Sequence, residues 1–446
     1  MSRFLITCWP YTGHVLPQMS IALALRARGH QVAFYTGLEA RAKVEAEGFE
    51  LFGFDRVQEQ QVSRLVHAVD TGDRRSRPGG GRVVRIFRNW LVETIPDQVA
   101  DLRSVLAHWT PDVIATDLSM WGPILVLWET EQIPVALSST FMGPLIPGPD
   151  APAFGFGLGA PRTPRARARS RAITALTDRF AMPMRRRVDE IRTGYGLPSL
   201  DEPVNRFTGR LPLYLVGSVP ELDYNRTDLP PSVHYVGNYI WYPPADPGET
   251  EWLDAIPTER PWVHVTESSL ATGDPFLART TIEALAGEPV EVIVTTGGQR
   301  DPEQIGLCSP APNVHVRRWL SHGELLPRCG AVVTVGGPAT ILASLSAGVP
   351  LVVVPTTWDK PDNARRVTET GAGVSIRARR CTPESLRAAV RQVLGERRYR
   401  AAAQRLAARF AAAPGAAGAA ELLERLAPED RSRPVPTVTT VHGGAG

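Results

Sequence analysis

Residues 317–366 read RRWLSHGELLPRCGAVVTVGGPATILASLSAGVPLVVVPTTWDKPDNARR. Two short apolar runs in this stretch, Ala331–Thr334 and Val349–Pro355, lack alternating polarity and so read as buried strands of a parallel sheet. Each runs into a loop of unusual chemistry: Gly336-Gly337-Pro338 after the first, and Thr356-Thr357-Trp358-Asp359-Lys360 after the second. In open α/β sheets, ligands bind in the crevice beyond the carboxyl ends of the strands. One loop brings backbone N–H groups at a helix start, and the other a carboxylate and an ammonium. Together they suit a ligand with phosphate at one end and hydroxyls at the other.

Outward from this stretch the same pattern recurs. The second half is expected to contain strands at Trp262–Thr266, Val290–Thr295 and Val314–Val316, with helices at Phe276–Ala286, Pro383–Gly395 and Ala416–Leu426. The first half opens with a strand at Phe4–Cys8, a helix at Leu16–Arg28 and a strand at Gln31–Tyr35. Further strands are expected at Pro111–Asp117, Ile133–Ser138 and Leu213–Gly217. Strands alternating with helices predict doubly wound parallel sheets. The chain therefore divides into a Rossmann-like unit over 1–217, a Pro- and aromatic-rich connection over 218–259 and a second Rossmann-like unit over 260–426. Residues 427–446 form a Pro-, Thr- and Gly-containing tail expected to be disordered.

Composition narrows the function. At 446 residues the chain exceeds one ordinary core, and a net charge of +3 is too small to argue for nucleic acid or an anionic membrane as partner, so neither is expected. No uninterrupted apolar run of membrane-spanning length occurs, and the N-terminus runs almost directly into a strand with no leader pattern, so a cytoplasmic protein without stable membrane insertion is expected. Cys8, Cys308, Cys329 and Cys381 are scattered, without a CxxC pair or ligand-spaced histidines, so neither a disulfide framework nor a structural metal is expected. Two arginine-rich stretches, Arg74–Arg88 and Arg162–Arg187, read as solvated loops and helix faces, with neutralisation of an anionic substrate as the alternative.

Gly13-His14-Val15-Leu16-Pro17 after the first strand, taken with Gly336-Gly337 and Gly348-Val349-Pro350 … Pro355 … Asp359, resembles the nucleotide-sugar-dependent glycosyltransferases of the GT-B fold. The resemblance is to the UDP-glycosyltransferase superfamily and, within it, to bacterial enzymes that glycosylate small natural products. It runs from Arg3 to about Leu426. It implies two Rossmann-like domains facing each other across a crevice, the first holding an acceptor and the second a UDP- or TDP-sugar. It also implies inverting transfer of a hexose or deoxyhexose without a metal, the leaving diphosphate being met by a helix N-terminus. The connection 218–259 would be the hinge for closure, and a monomer or homodimer is expected.

The resemblance also assigns roles. His14 matches the catalytic base, a task imidazole suits at neutral pH. Residue type alone equally allows a packing or capping histidine. Asp117 stands where such a base finds its orienting carboxylate, or else caps a helix beginning near Trp121. Thr12 and Gly13 would reach the donor. Trp319, with Leu320 beside it, matches the nucleobase-stacking tryptophan, the alternative being a core residue. Val335, Gly336, Gly337 and Thr340 would face the diphosphate, with Ser268 and Ser269 across the crevice. Asp359 matches the sugar-binding acid, with Lys360 next to it. Trp90, Trp121, Phe141 and Met142 offer apolar surface for the acceptor.

The chain departs from the family pattern at several of these positions. Val335 stands where many relatives have histidine, Pro338 and Ala339 where they often have glycine, and Lys360 where many have glutamine. Glu267-Ser268 replaces an apolar residue and glycine. These departures leave room for a catalytically silent nucleotide-sugar-binding accessory protein, or for a sugar-nucleotide epimerase or hydrolase of related fold.

Overall fold

Seven strands build the first sheet: β1 (Arg3–Thr7), β2 (Gln31–Tyr35), β3 (Glu50–Phe52), β4 (Val113–Asp117), β5 (Val135–Ser139), β6 (Leu213–Val216) and β7 (Val233–Tyr235). They lie parallel in the order 3-2-1-4-5-6-7. Six more build the second: β8 (Trp262–Thr266), β9 (Glu291–Thr295), β10 (Val314–Arg317), β11 (Cys329–Thr334), β12 (Leu351–Val353) and β13 (Gly373–Ser375), parallel in the order 10-9-8-11-12-13. This computed structural model describes residues 1–67, 80–244, 247–267, 274–298, 300–303 and 311–428.

The central strands β4, β5, β8 and β9 are buried along their whole length, because helices cover both faces of each sheet. The two doubly wound sheets expected from the apolar runs are therefore present. The unforeseen strands β3, β7 and β13 have three residues each and close the sheets at their edges. Half-exposed edge strands carry no continuous apolar run, so nothing in the local sequence marks them. Strand β7 falls inside 218–259, so part of that stretch belongs to the first sheet.

The arginine-rich run from residue 162 lies mostly on a helix, Pro164–Gly194. The Thr163 side chain accepts from the Ala166 N–H at its start, and Pro164 occupies the first helical position. Residues 74–79 of the other arginine-rich run lie outside the described residues, as do Cys308 and the tail from 429 onward. The described cysteines Cys8, Cys329 and Cys381 are buried and unbridged. No helix of the described residues is long and apolar enough to cross a membrane.

The two sheets are tied together far from the crevice. The helix Gly415–Glu424 follows the second sheet in sequence, yet Ala419, Ala420 and Leu423 sink into the first sheet's core with Ile6, Met19 and Leu25. Glu424 then accepts from Arg28 Nε at 2.7 Å and lies 2.5 Å from His30 Nε2.

Both sheets reverse their direction of winding next to their first strand, between β1 and β4 and between β8 and β11. A crevice opens beyond the carboxyl ends of the strands at such a switch point. The residues singled out at the two ends of the sequence lie at these two places.

Candidate active site

Chain reversal after β1 begins a helix at once, Thr12–Ala27, whose first turn is closed by the Tyr11 carbonyl accepting from His14 and Val15 N–H. The helix thus starts four residues before the expected Leu16, and His14 sits on its first turn instead of in a loop. Pro17 lies inside this helix, and having no N–H it cannot serve the Gly13 carbonyl four residues back. Gly13 and Pro17 line a narrow crevice whose other walls include Thr140, Asn238, Ala339 and Leu342, drawn from both halves of the chain.

Strand β4 lies beside β1, with Thr7 opposite Thr116 and their hydroxyls 2.7 Å apart. That register brings Asp117, the last residue of β4, under the helix start. Its Oδ2 lies 2.6 Å from His14 Nδ1. Its Oδ1 accepts from the Ser119 N–H at 2.7 Å and the Ser119 hydroxyl at 2.5 Å. The carboxylate therefore serves the histidine with one oxygen and stabilises its own turn with the other.

The His14 side chain keeps 17% of its surface exposed while that of Asp117 keeps 1%, so only the imidazole is open to a ligand. Burial disfavours charge on His14, but the Asp117 carboxylate outweighs it by charge and hydrogen bond, with Asp359 adding to the effect, so the imidazole titrates above its usual value. Burial likewise raises the Asp117 carboxyl, and His14 and Ser119 more than reverse that, holding it below the usual carboxylate range. With Nδ1 committed to Asp117, Nε2 is the nitrogen left for a substrate. An imidazole held this way can accept a proton from a hydroxyl and keep the resulting charge.

Across the crevice, β11 ends at Thr334 and the chain turns through Gly336 at φ +96°, a backbone that L side chains rarely adopt. Gly337 is the N-cap of the helix Pro338–Ser346 and meets nothing within 4 Å of an added Cβ. Among the described residues, space beside that N-cap is open, an arrangement suited to an anion at a helix start. Thr340 is half-buried on its first turn. Val335 is buried in the core and Leu320 likewise, so neither presents a side chain to the crevice.

Asp359 ends the loop after β12 and is buried, which raises its carboxyl, while Asn363 and Lys360 partly hold it down. Lys360 reaches back to the Thr356 hydroxyl at 3.1 Å. Asn363, which sequence reading passed over, donates to Asp359 Oδ2 at 2.7 Å and to the Gly336 carbonyl at 3.0 Å. One amide thus ties the glycine turn to the acid. Its only signal in the sequence is its position one helical turn after Asp359.

Trp358 is the other unforeseen feature, a bulky residue at φ +63°. Such a conformation costs roughly 1–3 kcal/mol and persists only where surroundings hold it. Its ring packs against the first sheet's core, edge-on to Phe87 at 4.8 Å and to Trp90 at 5.8 Å.

Trp319 is 37% exposed beside Gly298, so its ring is a surface platform and not a core residue. Ser268 and Ser269 lie outside the described residues. Thr12 and Gly13 are half-buried at the helix start. Of the four residues expected around an acceptor, Phe141 is half-buried and edge-on to Phe154 at 6.1 Å. Trp90 is buried with an indole N–H that meets no partner among the described residues. Trp121 is a core residue whose indole donates to the Leu118 carbonyl. Met142 is wholly buried beside residues such as Val219 and Leu222 and offers no surface, contrary to expectation, because the chain around it is packed by the second sheet's core.

Comparison with known proteins agrees with this fold. Residues 279–426 match the family model described as the erythromycin biosynthesis protein CIII-like C-terminal domain. The chain is 35% identical to the 4'-demethylrebeccamycin synthase of Lentzea aerocolonigenes over 433 residues, 95% of this chain and 99% of that protein. It is 31% identical over 333 residues to a PGL/p-HBAD biosynthesis glycosyltransferase of Mycobacterium tuberculosis, covering 73% and 72% of the two chains. Among solved structures, the glycosyltransferase of kitacinnamycin superposes with a TM-score of 0.73 at 22% identity, over 96% of this chain and 99% of that one. The spinosyn rhamnosyltransferase complexed with thymidine diphosphate superposes at 0.67 and 21% identity, over 95% and 100%. With two parallel-sheet domains, a shared crevice and these relatives along nearly its whole length, the chain belongs to the natural-product glycosyltransferases of the GT-B fold.

Proposed function

We propose that this glycosyltransferase moves a hexose or deoxyhexose from a UDP- or TDP-sugar to a small, largely apolar acceptor with inversion at the anomeric carbon. The observation that carries the reading is the His14–Asp117 contact of 2.6 Å, in which the imidazole alone keeps exposed surface. His14 Nε2 takes the proton of the acceptor hydroxyl as its oxygen attacks the anomeric carbon in line with the departing diphosphate. Asp117 fixes the tautomer and stabilises the imidazolium. The diphosphate settles at the N–H groups that open the helix Pro338–Ser346, which meet its charge without a metal. Trp319 stacks on the base, and Asp359 accepts from sugar hydroxyls. A nucleophile other than a hydroxyl would lean less on His14.

The acceptor lies against Trp90 and Phe141. Thymidine diphosphate, held by the spinosyn relative, is the first nucleotide to try.

The test is a thermal-shift panel with TDP, UDP and GDP, followed by His14→Ala. The variant should bind the preferred nucleotide as the wild type does and transfer no sugar. Unchanged turnover would remove His14 as the base. Nucleotide binding without sugar consumption across a broad acceptor panel would instead favour a silent binding protein.

A further inference from the structure

We propose that Trp358 is a positioning residue through which the acceptor-side domain sets the sugar-binding loop; this rests on the reading of Asp359 as the sugar-binding acid. Trp358 belongs by sequence to the donor side, following β12, but its ring packs with the first sheet's core. Phe87 and Trp90 hold it edge-on from that side. The same residue carries the loop's one left-handed backbone, and the next residue is Asp359, already in right-handed helical conformation as the N-cap of the helix Lys360–Glu369. The change of hand at 358 therefore decides where the carboxylate points, and a contact made by the other domain sustains it.

Two neighbouring contacts tie the same helix to chain that precedes the second sheet, one to the first unit and one to the connection. Asp362 accepts from the N–H of Gly155 at 2.6 Å and of Gly157 at 2.7 Å. Arg366 donates to Asp223 at 2.9 Å and lies over the Tyr224 ring at 4.3 Å. These hold the helix as a body. Trp358 alone among the three is adjacent in sequence to the acid and sits at the conformational reversal. Sugar recognition is thereby coupled to the acceptor wall: the aromatic group that lines the acceptor side also aims the donor side's carboxylate.

The experiment measures affinity of the full chain by calorimetry for TDP and TDP-glucose, and for UDP and UDP-glucose, in wild type, Trp358→Ala, Trp358→Phe, Phe87→Ala and the double variant Phe87→Ala/Trp358→Ala. Trp358→Ala should weaken binding of the sugar nucleotide about tenfold and leave the free diphosphate within about twofold, since small misplacements of a binding group are costly. Trp358→Phe should restore most of the difference. Phe87→Ala, on the other domain, should produce the same selective loss, and the double variant should be no worse than Trp358→Ala, the signature of one shared interaction. An unchanged ratio in Trp358→Ala, a silent Phe87→Ala, or equal weakening of both ligands would overturn the proposal. Should Trp358→Ala fail to fold, Phe87→Ala and Trp358→Phe decide it in the same way. A wild type that binds the diphosphates but gains nothing from the sugar would remove the reading of Asp359 and this inference together. A wild type that binds neither would overturn the proposed function.

Discussion

Asp117 reaches His14 at 2.6 Å across 103 residues of sequence, its other oxygen on Ser119. Asp117→Asn keeps the shape and removes the charge. It should lower kcat by roughly 10²–10⁴, with nucleotide affinity unchanged. The pH profile supplies the sign. His14 titrates above its ordinary value, about 6.5, so the free-base form is lost as pH falls through that raised value. Without the carboxylate the pKa drops, and the acid limb of the kcat/KM profile should move to lower pH even as the maximum falls.

The glycine pair separates folding from binding. Gly336→Ala places a methyl group 3.0 Å from Val353 Cγ1 and 3.3 Å from the Lys360 carbonyl, on a backbone at φ +96°, and should destabilise the protein by about 1–3 kcal/mol. Gly337→Ala meets nothing within 4 Å among the described residues at φ −61° and should leave thermal unfolding unchanged. If the diphosphate approaches that backbone, Gly337→Ala will nevertheless weaken nucleotide binding. Melting curves and calorimetry on the two variants check the contrast.

Asp362 clasps the loop at Gly155 and Gly157 from the opposite domain. Asp362→Ala strands two half-buried N–H donors, with a cost of about 1–3 kcal/mol. Hydrogen exchange at 155–157 should rise more than exchange in β1 or β4. Uniform exchange across the molecule would show that the clasp is not local.

Glu424 links the last described helix to Arg28 and His30, and the Arg28 hydrogen bond, with lesser help from His30, holds its carboxyl down at about 2. A depressed carboxyl stabilises the fold above its ordinary pKa, about 4.3, and loses that contribution as pH falls toward 2. Glu424→Gln should therefore lower the melting temperature slightly at pH 6. The gap to wild type should narrow below about pH 4 and close only as pH approaches 2. The contact is largely solvent-exposed, so added salt should shrink the gap as well.

What could be read early follows from local rules. The buried strands announced themselves as unbroken apolar runs, and Gly337 and Asp359 stand out in the sequence because each lies just past such a run, whereas the role expected of His14 rests on the family resemblance. Edge strands β3, β7 and β13 left no such trace. Asn363 and Trp358 escaped for another reason: an amide one turn after an acid and a tryptophan in a loop are commonplace until their partners are known. Met142 misled because an apolar residue reads alike whether it lines a cleft or fills a core.

Sequence by itself determined the two doubly wound sheets, their order along the chain and the family, since periodicity and strand-end motifs are local properties that survive without coordinates. Only the tertiary structure decided the relationships: Asp117 beneath His14, Asn363 bridging Gly336 to Asp359, Trp358 seated in the opposite domain and the final helix returned to the first sheet. Each joins residues that the sheets' crossovers bring together. Such proximity is set by packing across the whole domain, and no window of the chain encodes it alone.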